Sequence, residues 1–265
     1  MKILFATGGT GGHINPALAV ANRIRKIYGD KAQILFVGTA DHMESRLVPN
    51  AGFDFKTIEI SGFQRSFTPE DIKKNLITVK RMFTSSTEAK KIIEEFSPDV
   101  VVGFGGYVSG PVLRMAHKMR IPIAIHEQNA FPGITNKALA KKAELVMLTS
   151  EDAIPRIRCK NEPVVTGLPV RDELIEADRD FARAQLGIPD GKPLILSMGG
   201  SLGARAVNEA VCGLIANKKD DHDCVFIHAK GRYGEWVPDR LHELGVDFES
   251  RDDICIRDYI DDMQV

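Results

Sequence analysis

The sequence has little of what metal-bound, disulfide-stapled or membrane-spanning proteins need. Only four cysteines occur among 265 residues, Cys159, Cys212, Cys224 and Cys255, and no two share a Cys-x-x-Cys spacing. Such scattered thiols point to a reducing cytoplasm and buried side chains, not to a disulfide framework or a zinc site. Neither charge sign dominates, with 35 basic residues against 36 acidic, so bulk electrostatics give no reason to expect a nucleic-acid partner. No apolar run reaches the roughly 18 residues of a membrane span. The first residues enter an apolar strand at once, which leaves no signal-peptide pattern. A soluble or peripheral protein is expected. Short-period repeats and low-complexity stretches are also missing.

What is present is a core of ample size and a regular alternation. Hydrophobic residues make up 43% of a chain long enough for two domains. Apolar strand-like runs at Lys2–Thr7, Gln33–Val37, Phe55–Ile60, Asp99–Gly103, Ile121–His126, Leu145–Leu148 and Pro163–Thr166 alternate with helical patterns. Those patterns cover Pro16–Ile27, Ile72–Glu95, Pro111–Met119 and Ile134–Lys142. After Pro169 a charged helix over Arg171–Leu186 leads to further strands at Pro193–Met198, Cys224–Ala229 and Asp253–Arg257. This is the pattern of an α/β protein with doubly wound parallel sheets. Two Rossmann-like domains are predicted, 1–165 and 166–265, each opening with a strand, a glycine loop and a helix.

The segment Gly8-Gly9-Thr10-Gly11-Gly12-His13 carries the most information. It sits at a strand-to-helix turn, where glycines let backbone N–H groups approach a ligand and the helix dipole favours an anion. His13 adds an imidazole at the same place. The positive helix end disfavours the imidazolium, so a neutral ring able to take a proton from a hydroxyl is expected. Hydrogen bonding to nearby backbone is the plainer role for such a histidine, but four flanking glycines favour an open site. Whether His13 is the base or an orienting residue stays open at this level. Further loops occur at Gly103-Phe104-Gly105-Gly106-Tyr107 and Gly199-Gly200-Ser201-Leu202-Gly203. Glu127 and Asn129 end a strand in His126-Glu127-Gln128-Asn129, and Arg171 follows a Gly-x-Pro turn. Asn129 also suits a turn, Arg171 a solvated pair with Asp172 or Glu173, and Ser201 a helix N-cap. No metal cluster is convincing, since Asp261-Asp262 reads as an acidic helix start.

Taken together, GGTGGH-x-x-PALAVA, the glycine loops, HEQN, Thr166-Gly167-Leu168-Pro169 and Tyr259-Ile260-Asp261-Asp262-Met263 resemble glycosyltransferase family 28, in family order along the chain. Asn15 and Leu168 depart from the usual pattern, which has a bulky residue and an Asn there. The resemblance implies a GT-B fold, two domains facing a cleft, with the second expected to be incomplete because the family continues past Met263. It implies an inverting, cofactor-free transfer of N-acetylglucosamine from UDP-N-acetylglucosamine to undecaprenyl-diphosphate-linked lipid I. His13 would be catalytic. Thr10, Gly11, Gly12, Asn129, Arg171, Ser201 and Ile260 would line the donor site, Ile260 through its backbone. Gly105, Gly106, Tyr107 and Glu127 are acceptor or loop candidates. The enzyme would sit peripherally on the cytoplasmic face of the cell membrane. An amphipathic stretch from Phe63 to Phe83, with Lys73, Lys74, Lys80 and Arg81 beside its apolar stripe, suits an anionic membrane surface, though core packing gives the same periodicity. Rival readings are a diacylglycerol glycosyltransferase, a non-catalytic binding fragment and a nicotinamide-dependent oxidoreductase, although the first loop lacks the G-x-G-x-x-G register.

Overall fold

The computed structural model describes residues 1–60, 84–260 and 262–263. The amphipathic stretch from Phe63 to Phe83 lies outside the described residues. The chain divides into two compact units, Met1–Asp172 and Glu173–Val265. Asp172, the last residue of the first unit, pairs with Arg23 and Lys26 at 3.3 and 3.2 Å.

The first unit is one parallel sheet of seven strands, β1 (Lys2–Ala6), β2 (Gln33–Gly38), β3 (Asp54–Thr57), β4 (Val100–Gly103), β5 (Ile123–Glu127), β6 (Leu145–Leu148) and β7 (Val164–Val165). Their spatial order is β3-β2-β1-β4-β5-β6-β7. The connecting helices are α1 (Gly11–Tyr28), α2 (Glu44–Asn50), α3 (84–96), α4 (Gly106–Lys118) and α5 (Ile134–Ala140). Alternation along β1 divides the core between the two faces. Ile3 and Phe5 pack with Ile14, Ala17, Phe36, Phe53 and Phe104 on one side. Leu4 and Ala6 pack with Val37, Ile93, Val112, Leu113 and Ile125 on the other. Burial on both faces explains why these strands read as continuous apolar runs.

The strand order reverses between β1 and β4. Ligands of open parallel sheets bind at such a switch point, beyond the strand C-termini, and the first two glycine loops both lie there.

The second unit is a three-stranded parallel sheet ordered β10-β9-β8, from β8 (Leu194–Met198), β9 (Val225–Ala229) and β10 (Ile254–Arg257). The helices α8 (Arg205–Asn217) and α9 (Val237–Glu243) cover it. Val225 and Phe226 are buried, whereas Leu196 and Met198 on the edge strand β8 are exposed. Cys212 and Cys224 are buried here, and burial raises both thiols; Cys159 and Cys255 are half-buried. The α/β class and the parallel sheets stand as expected.

Three helix expectations need correction. The first helix begins at Gly11, not Pro16, because Thr10 turns extended and its carbonyl receives the N–H groups of His13 and Ile14. Pro16 therefore lies inside α1. There it deprives the Gly12 carbonyl of its i+4 donor. Likewise α4 begins at Gly106, ahead of Pro111. The expected helix over Arg171–Leu186 is two short ones, α6 (Asp172–Ile175) and α7 (Arg179–Gln185). Asp178 separates them by turning extended and capping the second, its carboxylate accepting the Phe181 N–H at 2.8 Å.

A buried ion pair ties the second unit together. Arg251 donates two 2.8 Å hydrogen bonds to Asp253, and its remaining N–H groups reach the Lys219 and Asp221 carbonyls. The Arg251 guanidinium, helped by His222, holds the Asp253 carboxyl down at about 2, below its usual 3.8. A carboxyl lowered on folding stabilises at pH values above its unfolded value. Asp253 should therefore contribute about 2 kcal/mol at neutral pH, lost as the pH falls from 3.8 toward 2. Hydrogen exchange across residues 173–260 should show this acid loss in the wild type. Arg251→Met should be destabilised at neutral pH and show a flatter profile below pH 4.

Candidate functional site

The site begins with backbone. β1 ends at Ala6, and residues 7–10 turn into α1 with an uncapped N-terminus: no side chain caps it and no acidic residue lies in its first turn. Unfilled N–H groups beside a positive dipole end suit an anion. From the adjacent strand, Gly105 and Gly106 bring the start of α4 against this turn. Gly106 has φ +73°, and a Cβ there would lie 2.4 Å from the Gly8 carbonyl oxygen. Gly105 has φ +91°, and a Cβ there would stand 3.1 Å from the His13 ring. Only glycine allows both the conformation and the approach.

Two buried carboxylates hold these loops. Glu44, at the start of α2, is fully buried and accepts the N–H groups of Gly9 and Thr39 at 3.1 Å and the Thr39 hydroxyl at 2.7 Å. Glu127, at the end of β5, is 1% exposed. It accepts the backbone and side-chain N–H groups of Asn129 at 2.9 Å, the Gly133 N–H at 2.9 Å and the Asn136 amide at 2.8 Å. Four donors occupy this carboxylate and shape the HEQN turn. Asn129 is thereby part of the turn, while its side chain stays exposed at the strand C-terminus.

Beside them, His13 is half-buried and its Nδ1 lies 3.0 Å from Gln128 Oε1. Tyr107 packs its ring against Gly9, and its hydroxyl is buried with no partner among the described residues. Burial, reinforced by the Glu44 charge, pushes the phenol up to about 12, so it remains protonated.

Thr10, Gly11, Gly12, His13, Gly105, Gly106, Tyr107, Glu127 and Asn129 thus gather at the C-terminal ends of β1, β4 and β5. Arg171 is not bonded to this cluster. Its neighbour Asp172 is held by Arg23 and Lys26, roughly 15 and 20 Å along α1 from His13. With Asp172 so engaged, Arg171 itself forms no ion pair with a described residue.

In the second unit, Ser201 lies in the turn closed by Gly203 N–H to Gly200 O, and the residue before α8 is Ala204; Ser201 is not a helix cap. Its carbonyl accepts the Arg232 N–H, and Ile260 follows β10 at the same end of that sheet. Among the described residues no group of three or more His, Cys, Asp or Glu side chains could hold a metal ion. No described helix is long and apolar enough to cross a membrane.

Glu44, His126 and Gln128 belong to this cluster although the sequence pattern alone does not single them out. A lone glutamate just after a glycine turn was the available signal for Glu44. The flanks of Glu127 in HEQN were the signal for the other two.

Removing the Glu44 carboxylate takes this acceptor from three donors, two of them buried. Glu44→Ala should cost about 3 kcal/mol in urea denaturation and raise hydrogen exchange at Gly9 and Thr39. Unchanged exchange at those two amides would show that the carboxylate does not hold the loop.

Comparison with known proteins bears on the family and the fold. The sequence matches the glycosyltransferase family 28 N-terminal domain over residues 3–148. It is 45% identical over 231 residues to the UDP-N-acetylglucosamine–N-acetylmuramyl-(pentapeptide) pyrophosphoryl-undecaprenol N-acetylglucosamine transferase of Acetivibrio thermocellus, covering 87% of this chain and 61% of that protein. The enzyme of the same name from Ruminiclostridium cellulolyticum is 41% identical over 261 residues, covering 98% of this chain and 69% of the relative. The crystal structure of Acinetobacter baumannii MurG superposes with TM-score 0.63 at 27% identity, over 99% of this chain and 69% of that one. A UDP-GlcNAc 2-epimerase from Neisseria meningitidis, bound to UDP-GlcNAc, gives TM-score 0.65 at 14% identity, over 100% of this chain and 73% of that one. That last likeness is one of fold alone. The chain spans less than two thirds of the length of the Acetivibrio relative.

Proposed function

This chain belongs to glycosyltransferase family 28, and on that premise we propose that it moves N-acetylglucosamine from UDP-N-acetylglucosamine to the 4-hydroxyl of the muramoyl sugar of undecaprenyl-linked lipid I, giving lipid II. The names of the relatives support the substrates. The observation that carries the chemistry is His13, set in the first turn of α1 with its ring against Gly105 and Nδ1 engaged by Gln128.

The acceptor oxygen attacks the anomeric carbon as the bond to UDP breaks. UDP leaves with the electron pair, the hydroxyl proton passes to His13, and a single displacement inverts the centre. No covalent sugar–enzyme intermediate forms. The bare α1 N-terminus at Thr10, Gly11 and Gly12 supplies N–H groups to developing negative charge. Asn129, Arg171, Ser201 and Ile260 are assigned to the donor. Arg171, without an ion-pair partner among the described residues, is the candidate to clamp a diphosphate bidentately. A polyprenyl-anchored acceptor calls for peripheral attachment to the cytoplasmic face of the membrane.

The test is isotope-traced transfer from UDP-N-acetylglucosamine to a lipid I analogue. His13→Ala should lower kcat by about 10²–10⁴-fold while UDP affinity changes little. Unchanged turnover in a folded variant removes His13 from the mechanism. Arg171→Ala should weaken UDP binding in calorimetric titration, with uridine binding affected much less, because only UDP carries the diphosphate. Equal losses for both would show that Arg171 shapes the pocket without contacting phosphate.

A further inference from the structure

A chain of hydrogen bonds runs from the Gly167 carbonyl to the His13 ring, and each link has one polarity. His126 lies on β5, is 1% exposed, and stacks on Phe104 at 5.4 Å. Its Nε2 is 3.1 Å from the Gly167 carbonyl oxygen. A carbonyl only accepts, so Nε2 carries a hydrogen. Burial lowers the His126 pKa and favours the neutral ring, which leaves Nδ1 as a lone pair.

That lone pair faces Gln128 Nε2 at 3.1 Å, and the same amide nitrogen lies 3.1 Å from the His126 backbone carbonyl. Two acceptors therefore take both amide hydrogens, and the opposite amide orientation would set oxygen against oxygen. Gln128 Oε1 is consequently turned to His13 Nδ1, 3.0 Å away. An amide oxygen only accepts, so the His13 hydrogen lies on Nδ1. Nε2 of His13, with no partner among the described residues, holds the free lone pair.

We propose that His126 and Gln128 are positioning residues that fix the tautomer of His13, keeping its hydrogen on Nδ1 and presenting Nε2 as the basic atom. This rests on the reading of His13 as the group that takes the acceptor proton. It opposes the preference of a free neutral histidine, which carries its hydrogen mainly on Nε2. Without the relay the ring would present a donor where the reaction needs an acceptor.

The tautomers are read directly by two-bond ¹H–¹⁵N correlation spectra of the uniformly labelled chain at neutral pH, with each histidine assigned by single substitution. In the wild type, His13 should be protonated on Nδ1 and His126 on Nε2. Gln128→Leu should move most of the His13 population to the Nε2-protonated form. Gln128→Glu keeps an acceptor for His13 but replaces the donor to His126 by a carboxylate. It should retain the His13 tautomer and raise the His126 pKa, an effect that a merely structural glutamine would not give. In the transfer assay Gln128→Leu should lower kcat at least tenfold and leave KM for the donor within twofold. A wild-type His13 protonated on Nε2, or a His13 tautomer unmoved in Gln128→Leu, overturns the proposal. Should Gln128→Leu fail to fold, the wild-type and Gln128→Glu spectra still decide it. The spectra need no turnover: a chain that transfers no sugar refutes the proposed function and leaves the tautomer result standing.

Discussion

The contact on which the rest of the first unit depends is between two backbones, the Gly8 carbonyl and Gly106. β1 and β4 are parallel neighbours, so their following turns leave the sheet side by side and compete for the same space. Side chains on both turns would force the strands apart or splay the helices. A Cβ on Gly106 would lie 2.4 Å from the Gly8 oxygen, and its φ of +73° is strained for any other residue. The close approach has a chemical consequence. It places α4 against the N-terminus of α1 and sets Gly105 beneath the His13 ring. The site is therefore a by-product of how tightly two strand-to-helix turns can be stacked.

Turns without side chains cannot hold themselves, and the fold substitutes buried carboxylates from elsewhere in the chain. Glu44 reaches Gly9 and Thr39, thereby joining the turns after β1 and β2. Glu127 does the same for the turn between β5 and α5. Several N–H hydrogens on one buried carboxylate replace the water hydrogen bonds that burial removes. The same saturation limits what Glu127 can do chemically, because both oxygens are taken by two donors each. The neighbouring His13 ring, by contrast, keeps its Nε2 without a partner among the described residues.

Much of this was legible in the sequence because parallel strands buried on both faces leave unbroken apolar runs. Leu145–Leu148 matches its strand residue for residue, and β1, β2, β8, β9 and β10 differ from expectation by one residue at an end. Helix starts were less legible. Pro16 and Pro111 look like first-turn prolines, but glycines that disfavour helix in isolation are held helical here by tertiary packing. The break at Asp178 was hidden by the good helix formers around it. At the site, the glycine loops and His13 announce themselves by composition. The relay through Gln128 and His126 does not, since it depends on side chains 113 to 115 positions away from His13 in sequence, joined only by strand order.

The second unit shows why glycine content alone overstates ligand binding. Its glycine loop also meets a neighbouring turn, because β8 and β9 are parallel neighbours like β1 and β4. A Cβ on Gly203 would lie 2.3 Å from the Lys230 carbonyl oxygen, and one on Gly231 would lie 2.1 Å from the Gly203 nitrogen. These glycines are required by packing before any ligand is considered. Gly200 differs: its φ is +81°, yet a Cβ there would meet nothing within 4 Å. The turn at Gly200 and Ser201 is thus open on one side and fixed on the other through the bonds of residues 201 and 202 to Arg232 and Tyr233. At Gly203 and Gly231 close backbone packing requires glycine, whereas at Gly200 only the positive φ of the turn does.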